Sequence, residues 1–299
     1  HARGVGNHGK VKTDFHGSTD LASGREQQPD GRRVVDGIRF IGTSATTGNG
    51  VVARDNTDGT LDQTFCRKGW VVTDFGLTET ASSVVSQPNG KIVVAGGTYP
   101  TFPFLGQYAL ARYNRNGSLD PSFGVGGLVR TTFFSEGCYA SALLLQADGK
   151  ILAAGTKYIN FTSAESANTD FAVARYNPDG SLDSTFGVGG EMATDFNQRN
   201  DDALAVVLQP DGKIVAAGTT VARNGLDQPF ALARYNSDGS RDNSFGKKGL
   251  ATVTFGSFFQ QAHSLLLQPD GKLIAVGFAD PESSDSDFPT ARLNPYGHP

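Results

Sequence analysis

The sequence of 299 residues is poor in sulfur, with only two cysteines and one methionine, and it has a single tryptophan. No apolar run approaches the roughly 18 residues that a membrane-spanning helix requires. A basic surplus is also missing, because the formal net charge is -4 and the pI is about 5.7. These absences argue against membrane insertion, general nucleic-acid binding and attachment to acidic membrane surfaces.

Glycine, by contrast, is abundant: 38 of the 299 residues are glycine, about twice the usual share of about 7%. This composition favours many short strands joined by turns. The chain begins at His1, with neither an initiator methionine nor a charged-then-apolar leader, which is typical of a mature or trimmed product.

One short motif recurs five times and organises the whole chain. The copies start 59 to 63 residues apart: QPDGR at 28, QPNGK at 87, QADGK at 146, QPDGK at 209 and QPDGK at 268. Two apolar runs flank each motif, and its turn residues suit a tight hairpin. Two further runs, such as FALARYN and GLATVTF, follow in each unit, so four antiparallel strands per unit are predicted, named a to d in chain order.

Five such units predict an all-β, five-bladed β-propeller over residues 1–299 as one domain, and a linear solenoid is the competing architecture. The last unit stops after its third strand, at FPTARLN (288–294). The missing fourth strand is GKVKTDF at 9–15, which matches GWVVTDF at 69–75. The ring is therefore expected to be closed by the N-terminal strand, which pairs beside residues 288–294.

The pair of segments LQPDGKIVAAGTT and FALARYNSDGSRDNSFG resembles the delta-60 repeat family of bacterial β-propeller proteins over essentially the full chain. The resemblance implies the propeller fold and little about activity, because the repeat rather than a reaction defines that family. A secreted or cell-surface bacterial protein is expected. The first unit departs most, with RRVVDGIRF as its second strand and Cys66 where the other complete units have glycine.

Residues that recur in every unit are interpreted as structural. The recurring set comprises Arg54, Arg112, Arg175, Arg234 and Arg292 in the third strands, with Asp62, Asp120, Asp183 and Asp242 in the turns that follow. A planar arginine fork suits an aspartate or several carbonyls, so this set is expected to hold the blades together. A calcium site in turns such as NPDGSLD is the alternative, although the full loop and the terminal bidentate glutamate are missing. Cys66 and Cys138 are expected at opposite ends of a strand, as two free thiols.

Ligand-binding residues are predicted where the sequence varies, in the second-to-third-strand loops and the loops between units. Exposed aromatic residues suit sugar stacking or a protein hot spot. This aromatic sector comprises Tyr99, Phe102, Phe104, Tyr158 and Phe161. The alternative is that these loops only cover their own rings.

The second set of predicted ligand residues lies around the first strands and is expected to ring the channel mouth. Just after a recurring alanine stand Ser23, Ser82, Ser141, Leu204 and His263. Three positions earlier stand Asp20, Glu79, Cys138, Asp201 and Gln260, with Tyr139 and Asp202 next to two of them.

The preferred function hypothesis is a non-enzymatic module that binds a carbohydrate or protein ligand, without a cofactor or metal. The alternative is an esterase-like hydrolase, with His263 as general base, Ser82 or Ser141 as nucleophile and Asp201 as the accompanying carboxylate. No GxSxG motif supports that site. A structural domain of a larger surface protein is the third possibility.

Overall fold

The computed structural model describes residues 11–15, 19–40, 48–99, 106–134, 136–159, 168–222, 225, 228–256, 259–280 and 287–299. Within these ranges the chain forms nineteen strands and no helix. Accordingly, no helix in the described ranges has the length and apolar character to cross a membrane. Both cysteines are free, with Cys138 buried and Cys66 partly exposed.

The strands form five antiparallel sheets, one for each sequence repeat, and neighbours in a sheet are consecutive in the chain. Sheet 1 comprises β1 (Asp20–Gln27), β2 (Arg33–Phe40), β3 (Gly48–Asp55) and β4 (Trp70–Thr73). Sheet 2 comprises β5 (Thr78–Ser86), β6 (Ile92–Tyr99), β7 (Gln107–Tyr113) and β8 (Leu128–Thr131). Sheet 3 comprises β9 (Cys138–Leu145), β10 (Ile151–Ile159), β11 (Asn168–Tyr176) and β12 (Glu191–Thr194). Sheet 4 comprises β13 (Asn200–Leu208), β14 (Ile214–Val221), β15 (Phe230–Tyr235) and β16 (Leu250–Val253). Sheet 5 comprises β17 (Phe259–Leu267), β18 (Leu273–Asp280) and β19 (Thr290–Leu293).

The chain divides into two compact units. Unit 1 contains residues 1–132 and 179–181, and therefore sheets 1 and 2. Unit 2 contains residues 133–178 and 182–299, and therefore sheets 3, 4 and 5. The predicted all-β architecture of five repeats with up to four strands each is confirmed, whereas the assignment of residues 1–299 to one domain stays a prediction.

Ring closure by the N-terminal strand is not confirmed. Residues 11–15 form no strand, and β19 pairs only with β18 among the described residues. The Phe15 ring instead packs on Trp70 of β4, with the ring centroids 5.2 Å apart. Val51 and Ala53 complete this small apolar cluster on sheet 1. The pairing of residues 9–15 with 288–294 stays a prediction, because residues 9 and 10 lie outside the described residues.

The core lies between neighbouring sheets because the middle strands are apolar on both faces. In β14 and β15 nearly every residue is buried, as expected for strands covered on both sides. Phe171 and Val173 of sheet 3 pack with Ala231 and Ala233 of sheet 4. Small residues on one sheet thus pack against large residues of the other, which allows the two sheets to approach closely.

Every first strand carries a β-bulge at the same position. The register shifts at Ser23, Ser82, Ser141, Leu204 and His263. The glycine of the second strand lies against the bulge: a Cβ on Gly218 would be 1.9 Å from the Asp202 carbonyl oxygen. Gly96 and Gly277 stand equally close to their own bulges. The recurring glycine of motifs such as VAAG is therefore required by the bulge.

A buried ion network explains the recurring charged residues and confirms their structural interpretation. In sheet 3, Arg175 Nε is 2.7 Å and Lys150 Nζ 2.9 Å from Asp183 Oδ2. The Arg175 guanidinium also covers the Phe186 ring at 4.7 Å and donates to the Ser237 carbonyl oxygen of the next sheet's turn. One network therefore joins the hairpin, the third strand, the following turn and the neighbouring sheet.

Sheets 1, 2 and 4 repeat this arrangement. The arginine-to-aspartate pairs are Arg54–Asp62, Arg112–Asp120 and Arg234–Asp242, at 2.6 to 2.8 Å. Burial alone would raise the pKa of Asp183, but the bonds from Lys150 and Thr185 and the charge of Arg175 outweigh it and leave the pKa below its usual value. In the NPDGS turn, Asp179 Oδ1 accepts from the backbone N–H and hydroxyl of Ser181, so this aspartate closes its own turn.

Sheet 1 contains one buried ionisable residue, Asp36, at a position where the next three repeats have alanine. Asp36 of β2 is fully buried and occupies the position of Ala95, Ala154 and Ala217 in the next three repeats. Its burial raises the pKa of Asp36 to about 7, against the lowering effect of nearby backbone N–H groups. Asp36 therefore lowers the stability of the fold, because an ionisable side chain is buried at a position that alanine occupies in three other repeats.

We predict that Gly218→Ala lowers the free energy of unfolding by about 3 kcal/mol or more, because the added Cβ collides with the backbone at the bulge. Urea unfolding measures the loss. Gly50→Ala is the control, since its Cβ would meet nothing closer than the Ala81 Cβ at 3.7 Å. Equal stability of the two variants would contradict the close approach of Gly218 to the backbone of the bulge.

We predict that Asp36→Ala stabilises the protein at pH 8 and not at pH 3.5. The folded-state pKa of about 7 lies above the ordinary value of 3.8, so the folded state loses stability as the pH rises between them. The gain at pH 8 is on the order of 2–4 kcal/mol. Thermal unfolding at both pH values measures it, and Asp36→Asn should share the pH dependence. A gain that is equal at both pH values would refute the charge as its cause.

Candidate functional site

The acidic and amide residues at the start of the first strands cap a backbone N–H. Phe15 N–H donates to Asp20 Oδ2 at 3.1 Å, and the same bond recurs in three further repeats. These are Phe75 to Glu79 at 3.1 Å, Phe196 to Asp201 at 2.7 Å and Phe255 to Gln260 at 2.6 Å. Glu79, Cys138, Asp201 and Gln260 are all 1% exposed or less. The structure therefore places these predicted channel-mouth residues in or beneath the ends of the strands.

The residues after the recurring alanine are the five bulge residues. A bulge frees a side chain from the alternation of the strand and is frequent beside binding sites. His263 is exposed, Ser23 is exposed, and Ser82 and Ser141 are partly buried. In the described part of unit 2, no hydrogen bond joins His263 to Ser141. The predicted Ser–His pair is thus not formed by these two residues.

Tyr158 of the predicted aromatic sector lies together with Tyr139 and Asp202 of the predicted channel-mouth set. The Tyr139 hydroxyl donates to Asp202 Oδ1 at 3.2 Å, and the Thr156 hydroxyl donates to the same oxygen at 2.9 Å. The ring of Tyr158 is 6.1 Å from that of Tyr139. Burial raises the pKa of Asp202 against these hydrogen bonds.

Tyr99 is the other member of the predicted aromatic sector among the described residues. Tyr99 ends β6 in unit 1 and is 37% exposed. Phe102, Phe104 and Phe161 lie outside the described residues.

Three carboxylates converge in unit 2, and two of them escaped sequence reasoning. Asp170 is the third residue of β11, Asp195 follows β12, and Asp201 is the second residue of β13. One oxygen of each lies within 4.8 Å of the others. Asp195 is exposed, whereas Asp170 is 8% exposed and Asp201 is fully buried. The cluster therefore reaches from the solvent into the protein.

Burial and repulsion between carboxylates raise the pKa values of two members of the cluster, Asp170 and Asp201. Burial is the larger cause that raises the pKa of Asp201 to about 7, and the charges of Asp170 and Asp195 add to it. The pKa of Asp170 is raised to about 6 by burial and by Asp195, against the charge of Lys157. Carboxyl groups that titrate near neutrality are suited to proton transfer.

One oxygen of the cluster has no hydrogen-bond partner among the described residues. Asp201 accepts from Phe196 N–H and from the Thr220 hydroxyl, at 2.7 and 2.5 Å. Asp170 Oδ1, in contrast, is buried without a hydrogen-bond partner among the described residues. A buried polar atom of this kind requires a ligand, a water molecule or a proton. Three carboxylate oxygens this close have the chemistry to hold a hard cation as well.

A cavity of about 270 Å³ adjoins the cluster. Phe196 and Thr220, which both donate to Asp201, form part of its wall. The rest of the wall is mostly polar and includes Asn197, Arg199, Thr252 and Thr254. Hydroxyl, amide and guanidinium groups around a small cavity suit a polyhydroxylated ligand more than an apolar one.

Sequence reasoning selected Asp201 and Asp202 but missed Asp170 and Asp195. Asp195 stands in the tripeptide TDF, which occurs also at 13–15 and 73–75. This recurrence was the available signal for Asp195, but the tripeptide was interpreted only as the end of a strand. Asp170 stands directly before the apolar run FAVARY, where the second and fourth repeats have Gln107 and Pro229. Neither signal indicates that the two carboxylates meet Asp201 from the next sheet.

Comparison with known proteins identifies the family. A family model described as a domain of unknown function (DUF5122) β-propeller matches residues 28–65, 87–123, 146–186, 209–245 and 268–297. The chain therefore belongs to this β-propeller family, in agreement with the resemblance to the delta-60 repeat. No curated protein matches the chain.

Solved structures resemble the chain at low identity. An endo-arabinase from Bacteroides thetaiotaomicron VPI-5482 has 9% identity and a TM-score of 0.48, over 93% of this chain and 94% of that one. A GH43 endo-arabinanase from Bacillus licheniformis has 13% identity and a TM-score of 0.43, over 97% and 99%. A levansucrase variant from Bacillus subtilis, in complex with oligosaccharides, has 13% identity and a TM-score of 0.47, over 98% and 88%.

These structures correct the preferred function hypothesis. All three are named as enzymes, which contradicts the prediction of a non-enzymatic binding module, a prediction made from the aromatic residues and the sequence variety of the long loops. At this level of similarity no activity is transferred from them. Any function of this chain has to be argued from its own residues.

We predict that Asp170→Asn and Asp201→Asn each raise the melting temperature at pH 8 more than at pH 5. Both raised pKa values mean that the folded state loses stability as the pH rises from the ordinary value of 3.8 to about 6 for Asp170 and about 7 for Asp201. The double variant should gain less than the sum, because either substitution removes the shared repulsion. Asp211→Asn is the control, since Asn89 stands at that turn position in the second repeat. Additive gains would contradict an interaction between the carboxyls.

Proposed function

We propose that the protein is a hydrolase that cleaves glycosidic bonds at the carboxylate cluster of unit 2. The observation that carries this proposal is the convergence of Asp170, Asp195 and Asp201 within 4.8 Å, with one buried oxygen unpartnered, beside a polar cavity. Hydrolysis of a glycosidic bond requires a protonated and an ionised carboxyl group on either side of the bond. Two carboxyls in different environments can supply that pair.

Asp170 is the general acid in this proposal. Its pKa of about 6 leaves a substantial fraction protonated near neutral pH, and its free Oδ1 can present a proton to the leaving oxygen. Asp195 is the exposed carboxylate that reaches the substrate as nucleophile or base. Asp201 is a positioning residue, since the Phe196 N–H and the Thr220 hydroxyl donate to its carboxyl group and fix its place.

The spacing of the carboxyls favours direct attack on the sugar. Retaining glycosidases hold their two carboxyls about 5–5.5 Å apart, whereas inverting enzymes leave about 6.5–9.5 Å for a water molecule. The oxygens here lie within 4.8 Å of one another, which fits the shorter spacing. Asp195 is therefore assigned as the nucleophile, and retention of anomeric configuration is the expected outcome.

A glycoside is favoured over an ester because the groups present are carboxyls rather than a Ser–His pair. The cavity wall offers Asn197, Arg199 and three threonine hydroxyls to the hydroxyl groups of a sugar. The Tyr139–Tyr158 pair, next to Asp202, supplies aromatic surface in the same unit. A carbohydrate ligand was one of the two partner classes expected from the sequence, and it is the one retained here. A secreted or cell-surface location would expose the protein to such substrates and is proposed with it.

We predict that the protein hydrolyses at least one member of a panel of nitrophenyl furanosides and pyranosides, arabinan and levan. Asp170→Asn and Asp195→Asn should each lower kcat by about 10²-fold or more, the usual contribution of an acid or base. Activity should fall as the pH rises above about 6, because Asp170 must be protonated. Initial rates across pH values, and the product anomer followed by NMR, are the measurements.

Asp74→Asn is the matched control, because Asp74 is the exposed aspartate of the equivalent TDF segment in the first repeat. It should retain full activity. Each assay is repeated with a chelator, which separates proton transfer by the carboxyls from a role of the cluster in holding a cation. Unchanged activity in Asp195→Asn, or an inactive wild-type protein on the whole panel, would refute the proposal.

A further inference from the structure

A second cavity, in unit 1, has a different chemistry. Its volume is about 530 Å³, and it lies between the β1–β2 hairpin, the β5–β6 hairpin and the turn after β7. Pro29 and Pro88 form rigid parts of the wall. Three arginines, Arg32, Arg54 and Arg115, also line it. A cavity of this size accommodates a small molecule.

The repeats provide an internal comparison for this cavity, because each sheet has the same hairpin and turn. Where this cavity has Arg115, the other repeats have threonine, proline or serine: Thr57, Pro178, Ser237 and Pro295. Where it has Asn116, the first, third and fourth repeats have Asp58, Asp179 and Asp238. The hairpin asparagine Asn89 replaces an aspartate of the other four repeats. All three departures make this cavity more positive than its counterparts.

The fourth departure changes the geometry of a charge rather than its sign. Arg32 stands where the other repeats have Lys91, Lys150, Lys213 and Lys272. A guanidinium offers a planar fork of donors that matches a carboxylate or phosphate, which an ammonium does not. The ion pairs of Arg32 with the described residues are long, at 3.5 Å to Asp30 and 3.4 Å to Asp62. It therefore retains donors for a ligand.

Arg115 is held in place by its backbone and leaves its guanidinium available. Its carbonyl oxygen accepts from Arg54 Nη1 at 2.6 Å, which ties the turn to sheet 1. Its side chain lies over Gly90, where a Cβ would be 2.2 Å from Arg115 Nε. Within the described residues no hydrogen bond or ion pair engages the guanidinium. Arg54, in contrast, is occupied by Asp62 and Thr64.

A buried amide faces the same cavity. Gln87 is 7% exposed, and its Oε1 has no hydrogen-bond partner among the described residues. The orientation of an amide is an assignment, so either its carbonyl or its NH₂ group can face the cavity. Gln146 and Gln268 share this feature, so the amide belongs to the repeat, and the arginines distinguish this cavity.

We propose that the 530 Å³ cavity of unit 1 binds a small anion through a carboxylate or phosphate group. The fork of Arg32 and the guanidinium of Arg115 bind its oxygens, and the Gln87 amide supplies a further donor. Asp30, at the rim, pairs with Arg32 and selects against a ligand that is too large to leave this pair intact. The site is independent of the carboxylate cluster and of the proposed hydrolysis.

Isothermal titration calorimetry of the full chain with inorganic phosphate and with citrate tests the proposal and separates the two oxyanion chemistries. Saturable binding of at least one probe is expected, and it should weaken as salt is added. Arg115→Ser should raise Kd about tenfold or more, the effect of losing one charge-assisted donor. Ser237 holds the equivalent turn of sheet 4 with its carbonyl oxygen, so the serine variant keeps the contact that folding needs.

Arg32→Lys keeps the charge and should weaken binding less than Arg115→Ser, while Asn116→Asp should weaken it by adding a negative charge. Ser237→Ala, at the counterpart turn, and Asp195→Asn, in the proposed hydrolase site, are controls that should leave Kd unchanged. Thermal unfolding of each variant confirms that it is folded. No saturable binding of either probe, or the same Kd in wild type and in the Arg115→Ser/Asn116→Asp double variant, would overturn the proposal.

Discussion

The buried ion network around the turn aspartate is the constraint on which the rest of the structure depends. Asp183 receives Arg175 and Lys150 from two other segments of its own sheet, and Arg175 reaches the turn of the next sheet. A buried aspartate without these partners would be strongly unfavourable, since an unpaired charge has no water to stabilise it. The residues QPDGK, ARYN and SLD therefore recur together, because each supplies one part of a network that is unfavourable when incomplete.

The bulges and caps decide which side chains leave the regular pattern. The bulge in a first strand requires a glycine opposite it in the second strand, because a side chain there would collide with the backbone. Near the start of the first strand, a carboxylate or amide oxygen accepts a hydrogen bond from the backbone N–H of the preceding phenylalanine. Most residues at the bulge and capping positions of the first strands thus have a structural role. Asp201 has both roles: it caps Phe196 and also forms the buried end of the carboxylate cluster.

The chemistry lies where a repeat departs from the others. Asp36 replaces an alanine, Asp170 precedes an apolar run, and Arg115 replaces a threonine, proline or serine. A feature shared by every repeat is explained by the packing that every repeat needs. A departure that leaves a buried oxygen or a guanidinium without a hydrogen-bond partner in the described part of the chain, as at Asp170 and Arg115, has no such explanation and points to a ligand.

The sequence by itself determined the five repeats, the strands within them and the structural role of the arginine and aspartate residues, because alternation, turn chemistry and spacing are local and recur five times. It also pointed to Asp201 and to the bulge residues. Its alternative reading paired His263 with Ser82 or Ser141, and no hydrogen bond between His263 and Ser141 in the described part of unit 2 supports that pairing. Only the tertiary structure brought Asp170 and Asp195 to Asp201, and Arg32 to the turn of Arg115. The physical reason is that both groups join segments from different sheets, and the approach of one sheet to another depends on packing and twist, which leave no periodic trace in the chain.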